Sequence, residues 1–398
     1  MQLDRLYIFQ ANLLKSVSRD FTRFLFSQIN WKQRMLGIRG LRGTGKTTLL
    51  LQHLKYNLNE KGLYVSADHP WFYDHTLFDL ADSLNKEGGR LLLIDEIHKY
   101  PNWSNELKNI YDGFPSLHVI FTASSALDIQ KGEADLSRRV ITYELPGLSF
   151  REYLNFTKQS SLIPYSIQDL LTHSVEAVHQ FPKNWKPLPL FRQYLKVGYF
   201  PFSKTEDESD FLIKLGQVIN TVLESDLASI EGYTAGNIIQ IKKLLGVVAE
   251  SVPFTPNISA LAGKMKMGRD SVNQFLIHLE RARMLNLIHQ ASKGVAVLQK
   301  PDKVYLENTN LSYALKDEPD KGALRETFLL NQLRNAKRHV SLSKEGDFLV
   351  DQKWTLEVGG KSKGDKQIKK VKNAFLALDE IEEAYLNRIP LWAFGFLY

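Results

Sequence analysis

The first third of the chain alternates short apolar runs with helical spacing. Met35–Arg39, Leu63–Ser66, Leu91–Ile94 and His118–Phe121 have the length and apolarity of strands. Leu91–Ile94 is apolar at every position, the pattern of a strand buried on both faces. Between the first two runs, Leu49, Leu50, Leu54 and Leu58 recur at helical spacing. This rhythm predicts a parallel sheet covered by helices, an α/β fold.

The texture changes after Glu144. Ser149-Phe150-Arg151-Glu152 fits a capping box, where serine and glutamate three residues apart satisfy each other's orphan N–H groups. From there to about Ser229 the pattern is mostly helical and rich in aromatics, with Lys204–Asp210 expected as an exposed loop. Next, Asn237–Ser251 predicts one helix, and Asn257 can cap a second, Ile258–Met265. Gly268 makes a turn, and Asp270 can cap a third helix with Val272, Phe275, Leu276 and Leu279 on its inner face. Strands at Leu285–Ile288 and Val295–Leu298, around Ser292-Lys293-Gly294, complete a winged-helix outline.

The remainder returns to α/β. Val304–Glu307 predicts a strand, Leu324–Leu333 a helix, and Asp347–Val350 with Trp354–Val358 a hairpin. Gln367–Tyr385 predicts an amphipathic helix with Ile368, Val371, Phe375, Leu378 and Ile381 inward. Ile389–Tyr398 predicts a buried terminal strand.

Composition narrows this picture. A chain of 398 residues holds two to four domains at about 100–200 residues each. With 43% hydrophobic and 24% charged residues, wholesale disorder is excluded. The absence of cysteine excludes disulfides, thiolate metal sites and a cysteine nucleophile, and suits a reducing compartment. No apolar run approaches the ~20 residues of a membrane span, and the start lacks a signal pattern, so a cytoplasmic setting without membrane is expected. The 51 basic and 44 acidic residues leave a net charge of +7, which allows a nucleic-acid partner without requiring one.

The candidate chemistry begins at Gly40-Leu41-Arg42-Gly43-Thr44-Gly45-Lys46-Thr47, which fits G-x-x-x-x-G-K-[ST] between a strand and a helix. The glycines let backbone N–H groups turn around phosphate oxygens, and the following helix adds its positive end. Gly40, Arg42, Gly43, Thr44, Gly45, Lys46, Thr47 and Thr48 are therefore expected to bind ATP or ADP, with Lys46 at the β and γ phosphates and Thr47 on Mg²⁺. Leu91–Ile94 ends in Asp95 and Glu96, at the strand edge where ligands bind in parallel sheets. Asp95 is expected at Mg²⁺ and Glu96 as the base that orients and deprotonates water. Thr122-Ala123-Ser124-Ser125 ends another strand, and a hydroxyl such as Ser124 can reach the γ-phosphate or the water. The Arg138-Arg139 pair can supply an arginine to transition-state charge, in cis or from a neighbouring subunit, so an oligomer is allowed.

Together with Ile94-Asp95-Glu96-Ile97-His98-Lys99, Pro101, Trp103 and Leu148-Ser149-Phe150-Arg151-Glu152-Tyr153, these motifs resemble bacterial and archaeal AAA-type ATPases of a fused kind. Members of that group join an AAA domain, a winged helix and a C-terminal domain of unknown function resembling restriction endonucleases. The resemblance implies an AAA/ASCE-type parallel sheet with an extra strand between the phosphate-loop strand and the Asp-Glu strand. It also matches Arg139 to a family arginine that usually follows glycine, a place held here by Arg138. The division expected is an ATPase domain over 1–148, a helical lid or connector over 149–235, a winged helix over 236–300 and an endonuclease-like α/β domain over 301–398.

Two further regions carry chemistry. Arg269, Asn273, Gln274, His278 and Arg281 are expected on the outer face of the third winged-helix helix, where such side chains can read base edges. Asp270 and Glu280 offset the charge, and a packing role is the alternative. In the last segment, Glu326, Asp347 and Glu357 could share one metal, as in the Asp then Glu-x-Lys arrangement of restriction endonucleases. The lysine position is Gly359, and Lys361 would lie about 13 Å beyond Glu357 along a strand at ~3.3 Å per residue. A nuclease and a degenerate binding scaffold are both open. Lys361, Lys363, Lys366, Lys369, Lys370 and Lys372 form the densest basic tract, suited to a DNA backbone or to a solvated helix face balanced by Asp379, Glu380, Glu382 and Glu383.

Overall fold

The computed structural model describes residues 3–57, 61–125, 136–227, 233–251, 253–290 and 300–398. Its contacts divide the chain into two compact units, Met1–Pro146 and Gly147–Tyr398.

The first unit is built on a parallel sheet of β1 (Met35–Gly40), β2 (Gly62–Ser66), β3 (Leu91–Asp95), β4 (His118–Ser124) and β5 (Ile141–Glu144), in the order β2-β3-β4-β1-β5. Strand β4 lies between β1 and β3, as the resemblance implied. Alternation explains why both faces are covered. Leu91 and Leu93 pack with Leu36, Ile38, Leu49, Leu50 and Leu54 on one side. Leu92 and Ile94 pack with Leu77, Leu80, Leu107 and Ile110 on the other. Leu91–Ile94 are each no more than 2% exposed, and each such side chain stabilises by roughly 1.5–3 kcal/mol when fully buried. Strand β5, absent from the apolar pattern, is a half-buried edge strand. The helix after β1 runs Lys46–Tyr56, and Leu58 lies outside the described residues.

The second unit begins with the serine half of the expected capping box: Ser149 Oγ accepts from the Glu152 N–H at 3.1 Å. Helices Ala235–Ser251, Ile258–Met265 and Arg269–Arg281 follow the predicted order. Asn257 caps the second through the Ala260 N–H, but the third starts one residue before Asp270, with Gly268 as its cap. Lys204–Asp210 is not a continuous loop; a helix capped by Asp207 already runs from Glu208. The predicted strand Val295–Leu298 lies outside the described residues. Among the described residues, β6 (Leu285–Ile288) pairs antiparallel with β7 (Lys303–Leu306), so the boundary expected at 300/301 falls inside one sheet.

The last sheet is mixed. Strands β8 (Val340–Leu342), β9 (Phe348–Val350), β10 (Trp354–Gly359), β11 (Ala374–Leu378) and β12 (Arg388–Pro390) lie in the order β12-β11-β10-β9-β8. The hairpin of β9 and β10 is as predicted. The helix expected over Gln367–Tyr385 is overturned: residues 361–373 form turns, and Ala374–Leu378 is a strand parallel to β10. The helical spacing is coincidental, because Ile368 packs from a turn onto Leu376 and Leu378. The terminal strand is also shorter than expected. It ends at Pro390, and the buried Leu391–Phe396 form a 3₁₀ helix. Among the described residues, no helix is long and apolar enough to cross a membrane.

Candidate nucleotide site

The site lies at the C-terminal edge of the parallel sheet. Gly43 and Gly45 take φ of +85° and +93°, a left-handed backbone that glycine adopts without strain. A Cβ on Gly40 would stand 2.4 Å from the Leu145 carbonyl oxygen. Arg23 is buried and donates to the Thr44 and Pro146 carbonyls at 2.7 Å each, fixing the loop against the chain leaving β5. Thr44 Oγ1 donates back to the Leu41 carbonyl at 2.8 Å.

Lys46 is buried and donates to the Gly40 and Leu41 carbonyls at 2.8 and 3.2 Å. Its ammonium thus sits inside the arc of its own loop. Thr48 is exposed on the first turn of the helix, beside Thr47. Thr47 Oγ1 donates to Asp95 Oδ2 at 2.6 Å, which brings a hydroxyl and a carboxylate from two elements to one point. Asp95 is held by two more hydroxyls: Tyr64 OH donates to Oδ2 at 3.0 Å, and Thr122 Oγ1 donates to Oδ1. Burial, then the Asp95 charge, raises the Tyr64 phenol well above its usual range, so it remains a donor.

Glu96 follows in a left-handed conformation, φ 53° and ψ 43°, with its N–H donating to Thr122 Oγ1 at 2.9 Å. Its Oε2 meets Arg42 Nη2 at 3.1 Å, Lys99 Nζ at 3.2 Å and His98 Nε2 at 3.9 Å. Burial pushes the Glu96 carboxyl up, but the Arg42, His98, Lys46 and Lys99 charges outweigh it and hold the group below the usual glutamate range. Ser124 is buried at the end of β4, in register with Gly40 of β1.

This donor set is of the kind that fits Mg²⁺ in phosphate-loop sites. Thr47 and Asp95 converge, and they would hold the ion while phosphate and water, rather than a protein cage, would complete its ligands. Among the described residues, no three histidine or acidic side chains are grouped to hold a metal alone.

Arg139 is not at this site within its own chain. It forms a bidentate pair with Asp112, at 3.0 and 2.9 Å. Asp112 lies just before β4 and Arg139 just before β5, so the pair sits at the N-terminal strand edge, opposite the phosphate loop. Arg34, which precedes β1, stacks over Tyr111 at the same edge.

Residues 32–154 match the family profile of an AAA domain. The first unit carries an AAA-type P-loop domain. Residues 188–322 match a domain of unknown function, DUF8612. An uncharacterized protein of Methanocaldococcus jannaschii is 26% identical over 374 residues, covering 86% of this chain and 78% of that protein. Among solved structures, AMPPCP-bound DnaA from Aquifex aeolicus aligns at 14% identity and a TM-score of 0.23, over 69% of this chain and 88% of that one. PCH-2 of C. elegans aligns at 16% identity and a TM-score of 0.27, over 70% and 66%.

Outside the AAA domain, the structure redraws two expected sites. On the helix Arg269–Arg281, Arg269, Gln274 and Arg281 are exposed and Asn273 is half-buried. His278 does not face outward; it is 8% exposed and stacks on Tyr233, whose hydroxyl meets its Nδ1.

The C-terminal acids do not converge as a metal-holding group. Glu326 Oε2 accepts from Lys303 at 2.6 Å and Tyr305 at 2.7 Å. Asp347 Oδ2 accepts from the Val358 N–H at 2.8 Å. Burial, then the Glu326 charge, raises the Asp347 carboxyl to about 6. Glu357 is 2% exposed, and its Oε1 pairs with Lys363, not Lys361. The chain doubles back after β10, so closely that a Cβ on Gly359 would stand 2.5 Å from that of Lys363.

Neither Arg23 nor Tyr64 stands out in the sequence, because each acts between elements distant along the chain. Lys99 and Lys363 stand there only as part of a motif and of the basic tract, and their pairing with Glu96 and Glu357 emerges from the fold.

Proposed function

We propose that this protein binds ATP and hydrolyses it with Mg²⁺. The observation that carries the reading is the meeting of Thr47, Asp95 and Glu96 at the mouth of the phosphate loop. Lys46 neutralises the β and γ phosphates, and the loop N–H groups fix their position. Thr47 and Asp95 would hold Mg²⁺, which when bound supplies further charge neutralisation there. Tyr64 and Thr122 keep the Asp95 carboxylate aimed. Glu96 accepts the proton of the attacking water. Arg139 would reach a phosphate only from a neighbouring copy, and a cytoplasmic setting accords with a chain without cysteine. ATP turnover tests the reading: Lys46→Ala and Glu96→Gln should each lower kcat on the order of a hundredfold or more. Unchanged turnover in either variant removes that residue from the mechanism.

A second reading adds nucleic acid, and the lysine-rich turns favour it. Lys361, Lys366, Lys369, Lys370 and Lys372 are exposed. The acids thought to balance them are not on a shared helix. Asp379 and Glu380 follow the strand β11, where they pair with Arg325. Five such cations suit a phosphodiester backbone, whose binding weakens with salt. Anisotropy of a labelled DNA duplex across salt concentrations is the test. Replacing Lys366, Lys369, Lys370 and Lys372 with serine should weaken binding and flatten its salt dependence, and an unchanged slope rejects the surface. Winged-helix contact and the nuclease alternative are tested beside it, by Gln274→Ala binding and by metal-dependent cleavage with Asp347→Ala.

A further inference from the structure

The ion pair between Arg42 and Glu96 joins the phosphate loop to the general base. Arg42 lies between Leu41 and Gly43, inside the segment that wraps phosphate. Its Nη2 is 3.1 Å from Glu96 Oε2, and the two side chains are only 30% and 19% exposed. Partial burial strengthens this contact relative to a surface pair. The left-handed backbone at Glu96, with its N–H tied to Thr122, directs the carboxylate toward the loop. Lys99 meets the same oxygen, but it also pairs with Asp68, outside the loop. Arg42 is the partner of Glu96 that belongs to the phosphate-binding segment.

A carboxylate bonded to guanidinium is a poorer proton acceptor. A guanidinium also binds phosphate oxygens bidentately, and a terminal phosphate carries more charge than a carboxylate. Glu96 and a γ-phosphate therefore compete for one side chain. We propose that Arg42 senses the γ-phosphate: on binding a nucleoside triphosphate it exchanges Glu96 for the terminal phosphate and frees the base to receive water. A diphosphate, lacking that group, leaves the Arg42–Glu96 pair in place. The exchange makes the loop's own arginine a positioning residue for Glu96 and a determinant of triphosphate over diphosphate recognition. It rests on the ATP-hydrolysis reading above.

Linkage gives the test its form, because competition is reciprocal. If Glu96 holds Arg42 back from phosphate, weakening Glu96 must tighten triphosphate binding, and only while Arg42 is present. The experiment measures the Kd of fluorescent AMP-PNP and fluorescent ADP, each with Mg²⁺, for wild type, Glu96→Gln, Arg42→Gln and the double variant. Thermal unfolding confirms that each is folded, and Arg42→Lys serves as the conservative variant. Glu96→Gln should tighten AMP-PNP binding about tenfold in the wild-type background and by less than about twofold in the Arg42→Gln background. Glu96→Gln should move ADP affinity by less than about twofold in either background, and Arg42→Lys should restore part of the coupling. An equal Glu96→Gln effect with and without Arg42, or for both nucleotides, overturns the proposal while leaving ATP hydrolysis standing. Absence of any Lys46-dependent nucleotide binding in the wild type overturns both.

Discussion

Lys363 caps the buried Glu357 carboxylate from across the Gly359–Gly360 turn. The lysine is over a third exposed while the glutamate is almost fully enclosed, and among the described residues Glu357 Oε2 has no hydrogen-bond partner. Removing the cation strands a charge in a poorly solvated place. Lys363→Ala is expected to destabilise the protein by roughly 2–4 kcal/mol, whereas Lys361→Ala should change stability by less than about 0.5 kcal/mol. Urea unfolding of the two variants checks this, and equal effects would show that the pair is incidental.

Tyr64 offers a finer probe of the nucleotide site. Its hydroxyl supports Asp95 Oδ2 from the neighbouring strand without entering the phosphate loop. Tyr64→Phe keeps the ring and removes the bond. Half-saturation by Mg²⁺ in the ATPase assay should rise about tenfold, with stability lowered by no more than ~1.5 kcal/mol. A large stability loss with an unchanged Mg²⁺ requirement would mark Tyr64 as a packing residue.

His53 predicts a pH dependence. Its ring stacks on Trp31 at 3.9 Å, and burial, then the His118 charge, lowers its pKa to about 4. The folded value lies below the unfolded one near 6.5, so between them the unfolded chain binds the extra proton. The contribution of His53 is fully present above pH about 6.5 and shrinks as pH falls toward 4, by at most ~3 kcal/mol. His53→Phe should therefore flatten the fall in melting temperature over that window. An unaltered slope would place the acid sensitivity elsewhere.

Gly40 tests the loop's packing. A Cβ there would meet the Leu145 carbonyl at 2.4 Å, an atom that cannot rotate away. Gly40→Ala is expected to destabilise by about 1–3 kcal/mol and to weaken nucleotide binding, because β1 and the loop must shift together. Calorimetry with AMP-PNP measures both, and wild-type affinity in the variant would show that the loop absorbs the change.

The parallel sheet, the phosphate loop and the strand ending in Asp95 and Glu96 were legible in the residue pattern alone. Those features are local. Glycine spacing sets a backbone path, and a short run of apolar residues needs cover on both faces wherever it lies. The residue pattern also placed the hairpin carrying Asp347 and Glu357, whose turn is short. Tertiary structure decided what depends on contacts distant in sequence. It set Tyr64 on Asp95, Arg23 on the loop and Arg139 at the opposite sheet edge. It turned residues 367–385 from an expected helix into turns and a strand, because pairing with β10 outweighs a chance helical spacing. The Arg42–Glu96 pair belongs to both levels: each residue was legible in its own motif, and only the packing of β3 beside the loop could bring one against the other.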